Sequence, residues 1–543
     1  MNNTNPIFSL KNFRSFGEEG ADFELAPITV LTGCNSAGKS SLVKALLLLD
    51  KMSTVGAMDS IIDLGGDTLP VSIKDLNMGR FDRVINDESI EKEMRFSYQV
   101  WSSLLRETVR VIRVFRAKPN DAMNNGILKE LRIERKDGSV IYSKGRRSSA
   151  SGIPMLSDEF IDPKPIDVKI QQFDTVSEFH RIKAMYGAFL RRFEKNKNSE
   201  DLKLRVERGR EMMEELKSRM IELSCVESDY DSDLCEKWSY RKHGDPLMDS
   251  DAVLDYKIES FQNNIAEEFV KFLAEEVVVR ALASQIQYVN SDSAKIKRLY
   301  SLEDEDKLCV AIRQFFKRIE KCKTLNDTLY IEADVDFQVG EFFRKWLGKD
   351  HFNMGDYITY QDTDEGLGFL LYLVKDEKKR LLADEGYGIT QLFTLLLHID
   401  NMIPLVKERS MVCYDEKDDI SCFPKPIWIC VEEPENHLHP RFQSMLADMF
   451  VEAYQKYNIH FIIETHSEYL IRKLQVMVAD KENALTPNDV SLNYVEKDEN
   501  GISHNRQIKV FEDGRLTEPF GPGFFDEATD LSMRLLKMKM EAK

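Results

Sequence analysis

The chain has 543 residues, with 75 Lys and Arg against 93 Asp and Glu, a formal net charge of −18, 42% hydrophobic and 31% charged residues. That length holds two or three domains, and no apolar run reaches the roughly 18 residues of a transmembrane helix. The acidic balance argues against a surface coated throughout by nucleic acid, though a local basic groove stays possible; the eight cysteines stand singly without a C-x-x-C pair, against a disulfide framework or zinc site.

The start, Met1-Asn2-Asn3-Thr4-Asn5, lacks the basic and apolar regions of a signal peptide, so a cytoplasmic chain with reduced thiols is expected. Residues 6–17 alternate as a strand running into a turn, and Phe23-Glu24-Leu25 follows as a second strand. Such a hairpin covers one side of whatever the next segment binds. That segment is an apolar, β-branched strand, Pro27-Ile28-Thr29-Val30-Leu31, then Thr32-Gly33-Cys34-Asn35-Ser36-Ala37-Gly38-Lys39-Ser40-Ser41, then the helical run Leu42-Val43-Lys44-Ala45-Leu46-Leu47-Leu48-Leu49.

The middle piece fits G-x-x-x-x-G-K-[ST], the Walker A phosphate loop, in the strand–loop–helix context that makes the pattern a site. Gly33 and Gly38 let backbone N–H groups close around phosphate oxygens. Lys39 reaches the β- and γ-phosphates, Ser40 ligates Mg²⁺, and the helix aims its positive end at the anion. The expected ATP-binding residues are Gly33, Asn35, Ser36, Ala37, Gly38, Lys39, Ser40 and Ser41.

Residues 61–84 are mixed, with a turn expected at 76–81. From 95 to 143, alternating pieces and an Asp137-Gly138 hairpin signal predict an antiparallel sheet beside the nucleotide core. Residues 177–345 turn rich in Glu, Lys, Arg, Leu and Met; 189–219 and 256–282 read as long helices. The run 180–210 is basic, with Arg191, Arg192 and Lys195 among its cations; it reads either as a solvated helix face or as a phosphate-contacting arm. No repeat or sustained heptad register supports a long coiled coil.

Strand and helix alternation resumes at about Met354. Residues 368–374 read as a buried strand, and Gly386-Tyr387-Gly388-Ile389-Thr390-Gln391 opens an apolar helix over 392–399. The strand Ile427-Trp428-Ile429-Cys430-Val431 delivers Glu432-Glu433-Pro434-Glu435 at its tip, which is Walker B logic. Glu432 takes the metal side, acting on Mg²⁺ through a water, and Glu433 is the expected catalytic base. Another strand, Ile459-His460-Phe461-Ile462-Ile463-Glu464, ends at Thr465 and His466, and His466 is read as holding the γ-phosphate and sensing its loss. His437 and His439 beside Pro440 are read as loop residues and not as metal ligands.

Together the G-x-N-x-x-G-K-S-S loop, the Gly386–Gln391 turn, Glu432 to Pro440 and Glu464-Thr465-His466-Ser467 resemble an ABC-class ATPase, and within it the overcoming-lysogenization-defect and RecF branch. The closing stretch, Phe511-Glu512-Asp513-Gly514-Arg515-Leu516-Thr517 and then Gly523-Phe524-Phe525-Asp526-Glu527, resembles the Septu-type antiphage ATPase, retron-associated versions included. The similarity covers 1–90 and 355–530. The fold class implied is α/β: an ABC-type P-loop NTPase head with an antiparallel β subdomain and a large helical insertion. Its parts are 1–175, the Walker A half with the β subdomain; 176–345, the charged helical arm; and 346–543, the half with signature, Walker B and histidine switch.

The resemblance further implies that Gly388 and Thr390 cap the ATP of a partner subunit in a head-to-tail dimer or higher oligomer, with Thr390 where the usual hydroxyl is Ser. It implies an ATPase, slow in turnover, that regulates a separate HNH-type nuclease, with nucleic acid or a reverse transcriptase–RNA/DNA complex as a further partner and no membrane. The stretch after His466 leaves no room for a nuclease domain of about 100 residues or more, so the chain is not expected to cut DNA. A RecF-like repair ATPase that binds DNA without a nuclease shares every core motif and stays as the alternative. A transporter ATPase fits the charged insertion poorly, and a relic P-loop fits two intact half-sites poorly. One departure stands out: 61–84 contains no glutamine for the loop that usually touches Mg²⁺, leaving Asn77 and Asp82 as candidates.

Overall fold

A computed structural model of the chain describes residues 5–55, 68–69, 78–102, 107–117, 125–148, 154–160, 286–290, 295–301, 304, 306–328, 340–363, 368–410, 427–482, 485–521, 524–525 and 527–541. The N-terminal strands alternate between core and surface. Strands β1 (Ile7–Lys11) and β2 (Ala21–Glu24) pair as the expected hairpin. Strand β3 (Ile28–Gly33), buried at every position, feeds helix α1 (Ser40–Val55). After β4 (Thr68–Leu69) and the single turn α2 (Phe81–Val84) come β5 (Met94–Ser102), β6 (Glu107–Ala117), β7 (Gly126–Arg135), β8 (Val140–Ser148) and β9 (Pro154–Phe160). These join the hairpin in one sheet of order β2-β1-β5-β6-β7-β8-β9, with β4 on β7. The β7–β8 turn uses Gly138 at φ 86°, as the Asp-Gly signal requires.

The chain continues through β10 (Ile286–Val289), β11 (Tyr300–Ser301), α3 (Lys307–Thr328), α4 (Glu341–Leu347), β12 (Tyr357–Asp362), β13 (Gly368–Lys375), β14 (Lys378–Leu381) and α5 (Tyr387–Ser410). It ends with β15 (Ile427–Glu432), α6 (Pro440–Tyr457), β16 (Ile459–Glu464), α7 (Glu468–Ala479), β17 (Val490–Lys497), β18 (Ser503–Ile508) and α8 (Glu527–Glu541). The central sheet has the order β10-β15-β16-β3-β17-β18. Its first five strands are parallel and β18 closes it antiparallel.

Covered on both faces, these strands are apolar along their length and not alternating, as parallel sheets require. On one face, α1 packs through Leu42, Val43, Leu46 and Leu49 beneath the antiparallel sheet, with Leu31, Cys430 and Ile462 in the same core. On the other, Leu395 and Leu396 of α5, Phe450 of α6 and Leu474 of α7 meet Val30, Ile429 and Phe461. The layers hold the parallel strands' C-terminal ends along one edge, where open α/β sheets bind ligands. This is the α/β P-loop head with an antiparallel β subdomain read from the sequence.

One boundary moves. The arm expected over 176–345 returns to the head earlier, by Ile286, where β10 pairs in parallel with Walker B strand β15. Helix α3 is tied to α5 by Arg318, which reaches the side chain of Asp400 at 3.3 Å and its carbonyl at 3.2 Å. A four-residue strand beside charged helices carries too little alternation to stand out. The long helices expected at 189–219 and 256–282, the basic run 180–210 and Asn77 lie outside the described residues. No described helix is long and apolar enough to cross a membrane.

Candidate nucleotide and metal site

The phosphate loop is held open by two glycines that nothing else can replace. Gly33 ends β3 at φ 132°, and a Cβ there would stand 2.0 Å from the Val495 carbonyl oxygen of the neighbouring strand. Gly38 sits at φ 101°, where a Cβ would meet Ser15 Oγ at 2.6 Å. Between them Ser36 takes φ 58°, and Asn35 and Ser36 face solvent. Ala37 is buried and its carbonyl accepts from Ser503 Oγ at 2.5 Å, which pins the loop to β18. Lys39, 4% exposed, donates to the carbonyls of Cys34 at 2.9 Å and Gly33 at 3.4 Å. Burial lowers its pKa, opposed by Glu464 and Glu433. Ser40 begins α1, and Ser41 N–H donates to the Gly38 carbonyl at 2.9 Å.

The acidic side is built by register. Strand β16 lies between β3 and β15, so Glu464 pairs with Leu31 on one side and Glu432 on the other. Two carboxylates therefore end adjacent strands at one level. Glu432 accepts from the Tyr288 hydroxyl of β10, and burial raises its pKa. Glu433 turns the chain at φ 45°; its N–H donates to the Glu464 carbonyl at 2.7 Å and its Oε2 accepts from Asn436 Nδ2 at 2.6 Å. A non-glycine residue in the left-handed region costs about 1 kcal/mol or more and persists where its surroundings over-determine it. Here one hydrogen bond fixes the backbone and the other the side chain of the residue expected to act as base.

His466, expected at the switch position, stands at the tip of β16 with its ring partly open to solvent and partly covered. Its backbone N–H donates to Glu435 Oε1 at 2.6 Å, and Glu435 is 7% exposed. Burial and Lys39 lower the imidazole pKa while Glu433 raises it, so a neutral ring is favoured near pH 7.

The glycine-rich turn contacts the Walker B loop of its own chain. A Cβ on Gly388 would stand 2.8 Å from the His437 carbonyl oxygen, and the Tyr387 and His437 rings meet at 4.5 Å. Thr390 is 5% exposed and its Oγ1 donates to the Tyr387 carbonyl at 2.9 Å, so the hydroxyl serves the first turn of α5. What the turn presents outward is Gly386 and Tyr387 at the helix N-terminus. His439 accepts from the Arg441 N–H at 3.2 Å as the N-cap of α6, a loop role. Asp82 pairs at the surface with Arg80 at 3.2 Å.

Sequence reasoning missed Glu464, Glu435 and Tyr288. A glutamate immediately before Thr-His at a strand tip was a readable signal for the first. The others follow only from strand order. It also passed over Arg14, at φ 54°, and Lys44, whose charges interact with both Glu432 and Glu464.

The residues fit Mg-ATP. Buried oxygens of Thr32, Ser41 and Glu464 have no hydrogen-bond partner, although buried polar atoms are normally paired. Among the described residues no group of three or more His, Cys, Asp or Glu side chains could cage a metal. Mg²⁺ takes one or two protein carboxylates, waters and substrate phosphates, and Glu432 and Glu464 stand level at the tips of adjacent strands.

The family profile described as AAA ATPase domain matches residues 7–471, and one described as a protein of unknown function, DUF3696, matches 485–535. No curated protein matches the chain. Among solved structures, the chain is similar to the Smc head domain with an extended coiled coil bound to the C-terminal domain of ScpA from Pyrococcus furiosus, at 12% identity over 98% of this chain and 100% of that one, TM-score 0.33. It is similar to the SmcHead bound to the C-winged helix domain of ScpA, at 11% identity over 93% and 97%, TM-score 0.39. It is also similar to the SMC head domain from Thermotoga maritima, at 11% identity over 93% and 98%, TM-score 0.31.

Proposed function

We propose a function from one premise, that the chain belongs to the AAA ATPase domain family, whose profile spans 7–471. The chain binds ATP with Mg²⁺ at Lys39, Ser40 and Glu432 and hydrolyses it slowly. The carrying observation is the register that sets Glu432 and Glu464 level at the tips of β15 and β16, next to the Walker A strand. When bound, Mg²⁺ supplies positive charge against the phosphate oxygens. Lys39 adds a second positive charge, the loop N–H groups orient the anion, and Glu433 accepts a proton from the attacking water. His466, neutral and exposed beside Lys39, holds the γ-phosphate by hydrogen bond.

The α5 N-terminus with Gly388, placed on the His437 loop, offers its helix dipole to the nucleotide of a second copy. In this reading the site is composite, and the dimer opens and closes with nucleotide state. The sequence resemblance extends the reading to a bacterial antiphage system in which this ATPase governs a separate HNH-type nuclease, with a reverse transcriptase–nucleic acid complex as a further partner in retron-associated forms. The test is cleavage of plasmid DNA in Mg²⁺. The purified chain alone leaves the plasmid intact, and cutting appears only with the nuclease encoded beside it and changes with Lys39→Ala. Degradation by the chain alone, as fast in Lys39→Ala or not, contradicts the assignment.

A further inference from the structure

The metal side of this site holds more carboxylate than the Walker pattern supplies. Glu464 ends β16 directly opposite Glu432 of β15, is 7% exposed, and is in hydrogen-bond contact with the Ser40 hydroxyl. Its Oε2 is buried with no hydrogen-bond partner. Burying a carboxylate oxygen unpaired beside a second carboxylate is unfavourable by itself, and such an arrangement persists where a cation or phosphate-bound ion occupies the gap. Each carboxylate has one donor, Tyr288 for Glu432 and Ser40 for Glu464, and it is Glu464 that keeps a buried oxygen without a partner.

Asp82 is turned to Arg80. One buried carboxylate oxygen on the Ser40 side is therefore left to reach the metal.

We propose that Glu464 supplies an oxygen to the Mg²⁺ of bound Mg-ATP, directly or through one ordered water. Together Ser40, Glu432 and Glu464 present a hydroxyl and two carboxylates from three adjacent elements, a donor set of the all-oxygen kind that Mg²⁺ would take alongside phosphate and water. A second carboxylate strengthens binding of the ion and lowers the net charge of the closed site. Glu464 is thus a metal-positioning residue, distinct from Glu433, whose side chain is held by Asn436.

This inference rests on the Mg-ATP reading, and the experiment separates the two. Binding of Mn²⁺ is followed by loss of the free-ion electron paramagnetic resonance signal in the presence of AMP-PNP, and AMP-PNP binding in EDTA is measured in parallel. Wild type is expected to bind Mn²⁺ with nucleotide; if it binds neither, the reading itself fails. Glu464→Gln is expected to weaken Mn²⁺ binding by tenfold or more while its affinity for AMP-PNP in EDTA stays within threefold of wild type. Glu464→Asp, which keeps the charge, is expected to recover part of the loss. Without metal, Glu464→Gln should melt at or above the wild-type temperature, because a buried unpaired carboxylate is gone, and it should gain less from Mg-AMP-PNP. Mn²⁺ affinity within twofold of wild type, an equal loss in EDTA, or a metal-free melting temperature well below wild type each overturns the proposal and makes Glu464 a structural residue.

Discussion

Glu435 is the link between the two acidic strand tips, and removing it should separate folding from catalysis in a measurable way. Its Oε1 accepts the His466 backbone N–H at 2.6 Å across 31 residues of chain, with 7% of the residue exposed. Glu435→Ala deletes a bond to an acid side chain, about 1.5–3 kcal/mol, and strands the His466 N–H, a penalty of about 1–3 kcal/mol. The two overlap, so about 2–4 kcal/mol of stability is expected to go. The freed tip also lets His466 drift, and a displacement of about 1 Å costs turnover of order 10²-fold. Glu435→Gln retains a carbonyl acceptor and removes a carboxylate whose pKa burial has raised. It should stay within about 1 kcal/mol and about threefold of wild type. Urea unfolding and steady-state phosphate release on both variants decide the matter. Equal turnover in Glu435→Ala and wild type, or equal losses in the alanine and glutamine variants, would refute the claim that this hydrogen bond positions His466.

Two further outcomes follow from single contacts. Gly388→Ala places a methyl 2.8 Å from the His437 carbonyl oxygen, so the α5 turn or the Walker B loop must shift; ATP affinity at low protein concentration should hold within about threefold, while turnover falls about tenfold or more. Unchanged turnover would remove the turn from the site. For pH, burial holds His398 and His460 at pKa values of about 4, with the unfolded value at 6.5. Both fold neutral, so their contribution is complete above pH 6.5 and is lost as pH falls towards 4, up to about 3 kcal/mol each. Urea midpoints of wild type should fall steeply over that window and those of His398→Gln less so; parallel slopes would show that His398 is not buried neutral.

The Walker loop, the Glu432-Glu433 tip and the β7–β8 turn were legible because their geometry is local. A glycine at φ above 0, a β-branched run before it and an apolar helix after it all lie within a few residues. The antiparallel sheet was legible for the same reason, since alternation marks strands with one buried face. What stayed hidden was relational. Glu464 reads as the last residue of a buried strand until β16 is known to run between β3 and β15. Tyr288 reads as part of a helical arm until β10 is found beside β15. Thr390 reads as a hydroxyl offered to a partner's nucleotide until α5 begins three residues before it and its hydroxyl turns back on Tyr387. Strand order and the inward face of a helix are set by tertiary packing, which a linear pattern does not carry.

The central claim is that the phosphate loop is half of a site completed by a second copy. Glu433→Gln removes the base and keeps the hydrogen-bonding shape at the β15 tip, where Asn436 holds the side chain at 2.6 Å. The direct measurement is the solution mass of this variant by light scattering, with ATP and Mg²⁺ and without, at protein concentrations near the transition. The account predicts an ATP-dependent dimer that retains one unhydrolysed ATP per chain and is abolished by adding Lys39→Ala. A mass that ignores ATP, or hydrolysis at the wild-type rate, would contradict it.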